Sequence, residues 1–153
     1  MKRILLPPVA WLLIVMVMGG LYAICPANPW LPQPYNWLGI AFVVAGWAIA
    51  SWHARLFRKL GTNINTFGEP GTLTHEGLFR RSRNPMYLGM LTALIGVALV
   101  MGTACVLIGP VVFFALAQCW YIPAEERALA GKFGEEYLGY RKDVPRWFGV
   151  GRR

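Results

Sequence analysis

Charge is scarce in this chain and unevenly signed. Only 14% of residues are Asp, Glu, Lys or Arg, and the 15 basic residues outnumber the seven acidic ones. A soluble domain carries about 25% charged residues, so a charged, water-facing surface of ordinary extent is excluded. Cysteine is also sparse. Cys25, Cys105 and Cys119 have no paired spacing, and two of them fall in apolar runs where cysteine acts as a small hydrophobe, so neither a disulfide framework nor a zinc site follows. No GxGxxG follows a strand-like run, which excludes a Rossmann-type nucleotide site. The net charge of +8 does not indicate a nucleic-acid partner, because basic nucleic-acid binders spread Lys and Arg over a soluble surface and lack long uncharged runs.

Apolar runs are what the chain has in abundance, at 56% hydrophobic residues in 153. Ile4 to Ile24 holds no charge and is long enough to cross a hydrocarbon core of about 30 Å at ~1.5 Å per residue. It is expected to be an uncleaved first span, since Tyr22 and Ile24 are too large for a small-residue signal-peptide cleavage site. Pro26, Pro29, Pro32 and Pro34, with Trp30 at interface depth, make a short outer loop. Trp37 to Ala54 forms a second span, and Met86 to Tyr121, uncharged throughout, holds two short spans turning at Met101, Gly102 and Thr103. The expected fold is therefore an all-α integral membrane protein of four transmembrane helices, the last two a hairpin.

The charges orient it. Lys2 and Arg3 precede the first span, six basic residues lie between Arg55 and Arg83, and seven more lie from Arg127 to Arg153. With four spans these segments share one side, which the positive-inside rule makes cytoplasmic, together with both termini. No span contains Asp, Glu, Lys or Arg, and no inverted repeat is visible, which argues against an ion or proton transporter. His53, near the inner end of the second span, is the exception and is expected to bond to backbone or water.

Two charged-side segments flank the hairpin. In the first, Gly68, Pro70, Gly71 and Gly77 forbid a continuous helix, and Asn84 before Pro85 reads as a cap ahead of a proline at the first helical position. A helix start beside Arg80, Arg81 and Arg83 suits an anionic group, and equally suits an ordinary positive-inside loop. In the second, Leu129, Phe133, Tyr137, Tyr140 and Val144 form an apolar stripe, the pattern of an amphipathic helix on a membrane surface. Glu125 and Glu126 open it at the membrane boundary, where two glutamates also serve simply to complement a helix dipole.

These residues form an ordered pattern: Gly77-x-Phe79, Arg83-Asn-Pro-x-Tyr87-x-Gly89, a hydrophobic hairpin, Glu125-Glu126-x-x-Leu129, and Phe133-Gly-x-x-Tyr137-x-x-Tyr140. The pattern resembles the superfamily of isoprenylcysteine carboxyl methyltransferases and phospholipid methyltransferases, integral membrane enzymes that use S-adenosylmethionine. The resemblance covers roughly residues 60 to 148, so residues 60–153 would form the methyltransferase core and residues 1–59 two N-terminal spans. It implies that Leu73, Thr74, Phe79, Asn84, Pro85, Met86 and Tyr87 line the cofactor pocket, with Glu125 closing it. The chemistry is compatible: a zwitterionic tail needs donors for its carboxylate and an acceptor such as Glu125 for its ammonium, and a sulfonium favours aromatic faces.

Two departures bear on mechanism. The family motif reads Arg-His-Pro where this chain has Arg83-Asn84-Pro85, so the ring nitrogen is lost. Prenylcysteine enzymes are similar but place an arginine, which meets the substrate carboxylate, where this chain has Tyr121. The acceptor is then expected to be a lipophilic small molecule, a lipid or a prenylcysteine-like molecule, with a free carboxylate disfavoured, entering from the bilayer among membrane lipids, with Tyr121 and Glu126 as the catalytic residues and Glu126 as base if the acceptor is an ammonium. The competing reading is a non-enzymatic membrane protein that binds anionic lipid or a protein partner through its basic face.

Overall fold

The computed structural model describes residues 5–25, 29–59, 73 and 76–149. Among these every regular element is helical: α1 (Pro7–Ile24), α2 (Leu38–Lys59), α3 (Pro85–Met101), α4 (Ile108–Leu116), α5 (Ile122–Phe133) and α6 (Glu135–Asp143). Short 3-10 turns precede α2, α3 and α4, and a π turn over Ala117–Tyr121 joins α4 to α5. Three helical stretches are long and apolar enough to cross a membrane, Pro7–Ile24, Tyr35–Leu56 and Ala104–Phe133, and α3 is apolar but shorter at 17 residues. Large apolar side chains such as Leu12, Met16, Val17, Val44 and Val111 face outward, as a lipid solvent allows.

α2 and α3 form the most extensive helix pair, and glycine makes it possible. A Cβ on Gly96 would lie 2.6 Å from Gly39 O and from Val43 N, and one on Gly89 would lie 2.6 Å from Gly46 O and 2.8 Å from Ala50 N. Each pair of glycines is seven residues apart in its own helix, so the helices run antiparallel and meet backbone to backbone at two successive heptad levels, the small-residue packing that membrane helices favour. α1 and α4 close the other side through Gly109, whose missing side chain accommodates Met18. Met18, Leu94, Ala98, Val106, Phe113 and Ala117 fill the core between them.

The turn expected at residues 101–103 is present: Gly102 adopts a left-handed φ of 68° and caps α3. Two expectations at the C-terminal side are revised. The fourth apolar helix does not end at Tyr121 but continues without interruption through the π turn to Phe133, because Pro123, whose missing N–H would break a helix interior, falls at the start of α5 where the π turn has already shifted the bonding register. The amphipathic stripe is not one helix either, since Gly134 breaks it with φ 51° and ψ −125°. The stripe still comes together: Tyr137, Tyr140 and Val144 are buried against Leu73, Leu129 and Phe133.

Candidate functional site

The starts of α3 and α5 and the C-terminal segment meet at the charged end of the bundle, around Glu126. Its carboxylate is held by two guanidinium groups. Arg146 donates through Nε at 3.0 Å and Nη2 at 2.7 Å, and Arg83 Nη1 lies at 3.0 Å. The Glu126 and Arg83 side chains are 10% and 9% exposed, so this is a shielded pair with a half-buried third member. Arg83 also donates to the Tyr137 hydroxyl at 3.3 Å. With both oxygens of Glu126 already accepting from arginine, taking a substrate proton would require giving up an ion pair in a shielded site. Both oxygens of Glu126, the residue expected to act as base toward an ammonium acceptor, are thus engaged by Arg146 and Arg83.

Asn84 likewise departs from its expected use. It stands before Pro85 at the start of α3, but its side chain makes no capping bond. Instead Nδ2 donates to Arg146 O at 2.9 Å, and its backbone N–H donates to Ser82 Oγ at 3.1 Å. Arg83 N–H donates to Pro145 O, and Gly149 N–H to Arg81 O, so the segment after α6 is clipped along residues 81–84. Trp147 completes the clip by stacking on Phe114 and donating to Gln118 Oε1 at 2.8 Å. No helical periodicity encodes this contact, which is why Arg146 and Trp147 were not legible as site residues.

In the first turn of α3, the Tyr87 hydroxyl donates to Glu125 Oε1 at 2.8 Å, joining the two motifs. Tyr121 is 2% exposed, stacks on Tyr87 with ring centroids 6.1 Å apart, and donates its hydroxyl to Leu5 O at 2.9 Å. Pro85 is buried and Met86 half-buried beside them. Phe79 is buried, and its carbonyl accepts from the Tyr140 hydroxyl at 2.8 Å, while Leu73 packs against Tyr137 and Tyr140. Thr74 lies outside the described residues. The site thus has two parts: a Tyr87–Glu125–Tyr121 group toward the bundle interior and a Phe79–Arg83–Asn84 group at its charged end.

Burial pushes the phenols of Tyr137 and Tyr140 above the ordinary tyrosine range, for Tyr137 with help from the Glu126 charge and against the pull of Arg83. A raised folded-state value means stability is fully present below the unfolded phenol value, about 10, and is lost as pH rises beyond it. Unfolding in detergent should therefore become easier above about pH 10. Tyr140→Phe should weaken that alkaline loss while costing about 1 kcal/mol at neutral pH for the bond to Phe79 O. Thermal denaturation across pH 7 to 11 would show it, and an unaltered alkaline slope would refute it.

Sequence comparison reaches the same elements. An uncharacterized protein of Haemophilus influenzae is 36% identical over 62 residues, covering 40% of this chain and 98% of the other. The family profile for phospholipid methyltransferase matches residues 35–136, from the turn before α2 to the first turn of α6, and so takes in the segments from Gly77 to Gly89 and from Glu125 to Leu129 but ends short of Tyr137 and Tyr140. A match over that share of the sequence indicates a methyltransferase, and the apolar helices make it a membrane protein. The chain belongs to the phospholipid methyltransferase family.

Proposed function

We propose that the protein transfers a methyl group from S-adenosylmethionine to a lipophilic acceptor that enters laterally from the bilayer, at a site on the cytoplasmic side. The observation that carries this reading is the bond between Tyr87 and Glu125, which joins the two family motifs. When bound, S-adenosylmethionine supplies a methyl group already activated on a sulfonium, so the protein's task is binding, alignment and exclusion of water. The residues fit that task. Glu125, oriented by Tyr87, is placed to accept from an ammonium, and the Tyr87 and Phe79 faces suit a sulfonium. Among the described residues, Arg83 Nε and His53 Nε2 are buried side-chain nitrogens without a partner, as expected of groups that await a ligand.

The charged end is cytoplasmic in this reading, because the basic residues all fall in the segments that the four-span order puts on one side. Tyr121 argues for an acceptor other than a free carboxylate. Its hydroxyl is engaged by Leu5 O, and a neutral phenol is a weak partner for an anion beside the arginine that prenylcysteine enzymes place at this point.

Calorimetry of the detergent-purified protein with S-adenosylhomocysteine, followed by methyl transfer from labelled S-adenosylmethionine to native membrane lipids, tests the proposal. Glu125→Ala should weaken S-adenosylhomocysteine binding about ten- to a hundredfold, the loss of one charge-assisted bond of ~1.5 to 3 kcal/mol. Asn84→Ala should weaken it by a similar factor, through release of the Arg146 backbone that Asn84 holds. No binding by the wild type would reject the methyl donor, and unchanged affinity in both variants would reject the pocket.

A further inference from the structure

No spacing in the sequence pairs one cysteine with another, but the fold does. α1 starts at the charged end, where Leu5 O accepts from Tyr121. It stops at the opposite end on Cys25, whose backbone N–H donates to Leu21 O at 2.9 Å. The short turn over Ala104–Leu107 that leads into α4 packs against α1 and brings Cys105 to the same carbonyl, with Sγ 3.9 Å from Leu21 O. The two half-buried thiols are hydrogen-bonded to each other. Sulfurs already in contact meet the close approach that disulfide formation demands.

The surroundings favour that chemistry over metal binding. A structural metal site takes about four ligands, and among the described residues no group of three His, Cys, Asp or Glu gathers. Val106, next to Cys105, is fully buried in the core, whereas the two cysteines stay half-buried at its edge, within reach of a reagent. The compartment agrees as well. In the orientation proposed above this end faces outward, and disulfides form and persist outside the cytosol.

We propose that Cys25 and Cys105 form a disulfide that fastens the outer end of α1 to the turn before α4, closed by exchange with a disulfide-bearing oxidant on the outer face. Thr103 Oγ1, 3.7 Å from Cys105 Sγ, can donate to a thiolate there, which makes Cys105 the attacking sulfur. It attacks the oxidant's disulfide, forming a mixed disulfide and releasing one oxidant sulfur as a thiol. The Cys25 thiol then gives up its proton and attacks Cys105 Sγ, so the protein bond forms as the mixed bond breaks and the second oxidant thiol leaves. Two protein thiols are oxidised, one oxidant disulfide is reduced, and the two protons end on the released thiols. The result is a covalent hold at one end of a helix whose other end is held by Tyr121 at Leu5 O and by the Trp11 bond to Met90 O. The outward placement rests on the orientation read above, while the contact between the thiols does not.

The full-length protein is tested in two settings. In the first, reduced protein in detergent is equilibrated with glutathione and glutathione disulfide, quenched in acid, alkylated in denaturant and mapped by peptide mass. Closure should need about tenfold less glutathione disulfide, at fixed glutathione, than closure in the denaturant-unfolded chain, or ~30 mV for this two-electron couple. Cys119→Ser should close the pair as wild type does. In the second setting, cells of a bacterial host with an oxidising periplasm are quenched in acid, and alkylation of the denatured protein should reach Cys119 alone until a reductant is added. An equal requirement in folded and unfolded chains overturns the proposal, as does a bond from either cysteine to Cys119. Closure with glutathione disulfide but open thiols in cells also overturns it, by placing this end on the reducing side and rejecting the orientation. Failure to close with glutathione disulfide rejects the pair and leaves the orientation standing.

Discussion

Glu126→Ala should cost about 3 kcal/mol of stability and abolish methyl transfer, even though Glu126 is not expected to touch the reacting atoms. Removing one partner of a shielded ion pair costs ~3 to 5 kcal/mol because the remaining charge is left uncompensated, and here two guanidiniums lose their common carboxylate. The lower end applies because Arg146 is 26% exposed and can recover some hydration. The clip over residues 81–84 depends on the same contact, so Trp147 should leave Gln118 and Phe114 and become more accessible to fluorescence quenchers. Glu126→Gln separates this account from base catalysis. A base would lose turnover on that change at nearly wild-type stability, whereas a positioning carboxylate loses stability and clip closure together with turnover. Arg146→Ala combined with Glu126→Ala should be less damaging than the sum of the two, since both remove the same interaction.

Gly89→Leu should be at least as damaging, for a reason of shape. The first added carbon would come within 2.6 Å of Gly46 O and 2.8 Å of Ala50 N, and these are backbone atoms of a packed helix that cannot rotate away. α2 and α3 must separate, and overpacking of this kind typically costs 1 to 3 kcal/mol or more. The site should be lost with the pairing, because the same glycines set how α2 packs along α3, whose first turn carries Tyr87. The expected result is a protein recovered poorly from detergent, with S-adenosylhomocysteine affinity reduced at least tenfold in what is recovered. Gly20→Ala is the control: a Cβ there has no atom within 4 Å, and it should purify and bind like wild type. Normal binding by Gly89→Leu would mean that the helices do not meet as described.

The same residues show where sequence reading stops. The glycine pairs were present in the sequence at heptad spacing, and in a membrane helix such spacing marks a close helix contact; what the spacing withholds is which helix is the partner. Asn84 before Pro85 has the form of a cap, and local chemistry alone would make it one. It lost that role because a chain segment from the far end supplied a carbonyl for its amide.

By itself the sequence determined the solvent, the helical class and the place of the two motifs. Uncharged runs long enough for a hydrocarbon core admit little else, charge gathered on one set of connections fixes which end is polar, and two short motifs mark where α3 and α5 begin. Only the tertiary structure decided who pairs with whom. Glu126 belongs to Arg83 and Arg146, Tyr121 to Leu5 O, and His53 Nδ1 to Ile49 O. The physical reason is that periodicity records which face of a helix is apolar, a property of neighbours along the chain. Hydrogen-bond partners across the bundle depend instead on the register of α2 against α3 and on the docking of the C-terminal segment, and both are set by close contacts between residues far apart in sequence.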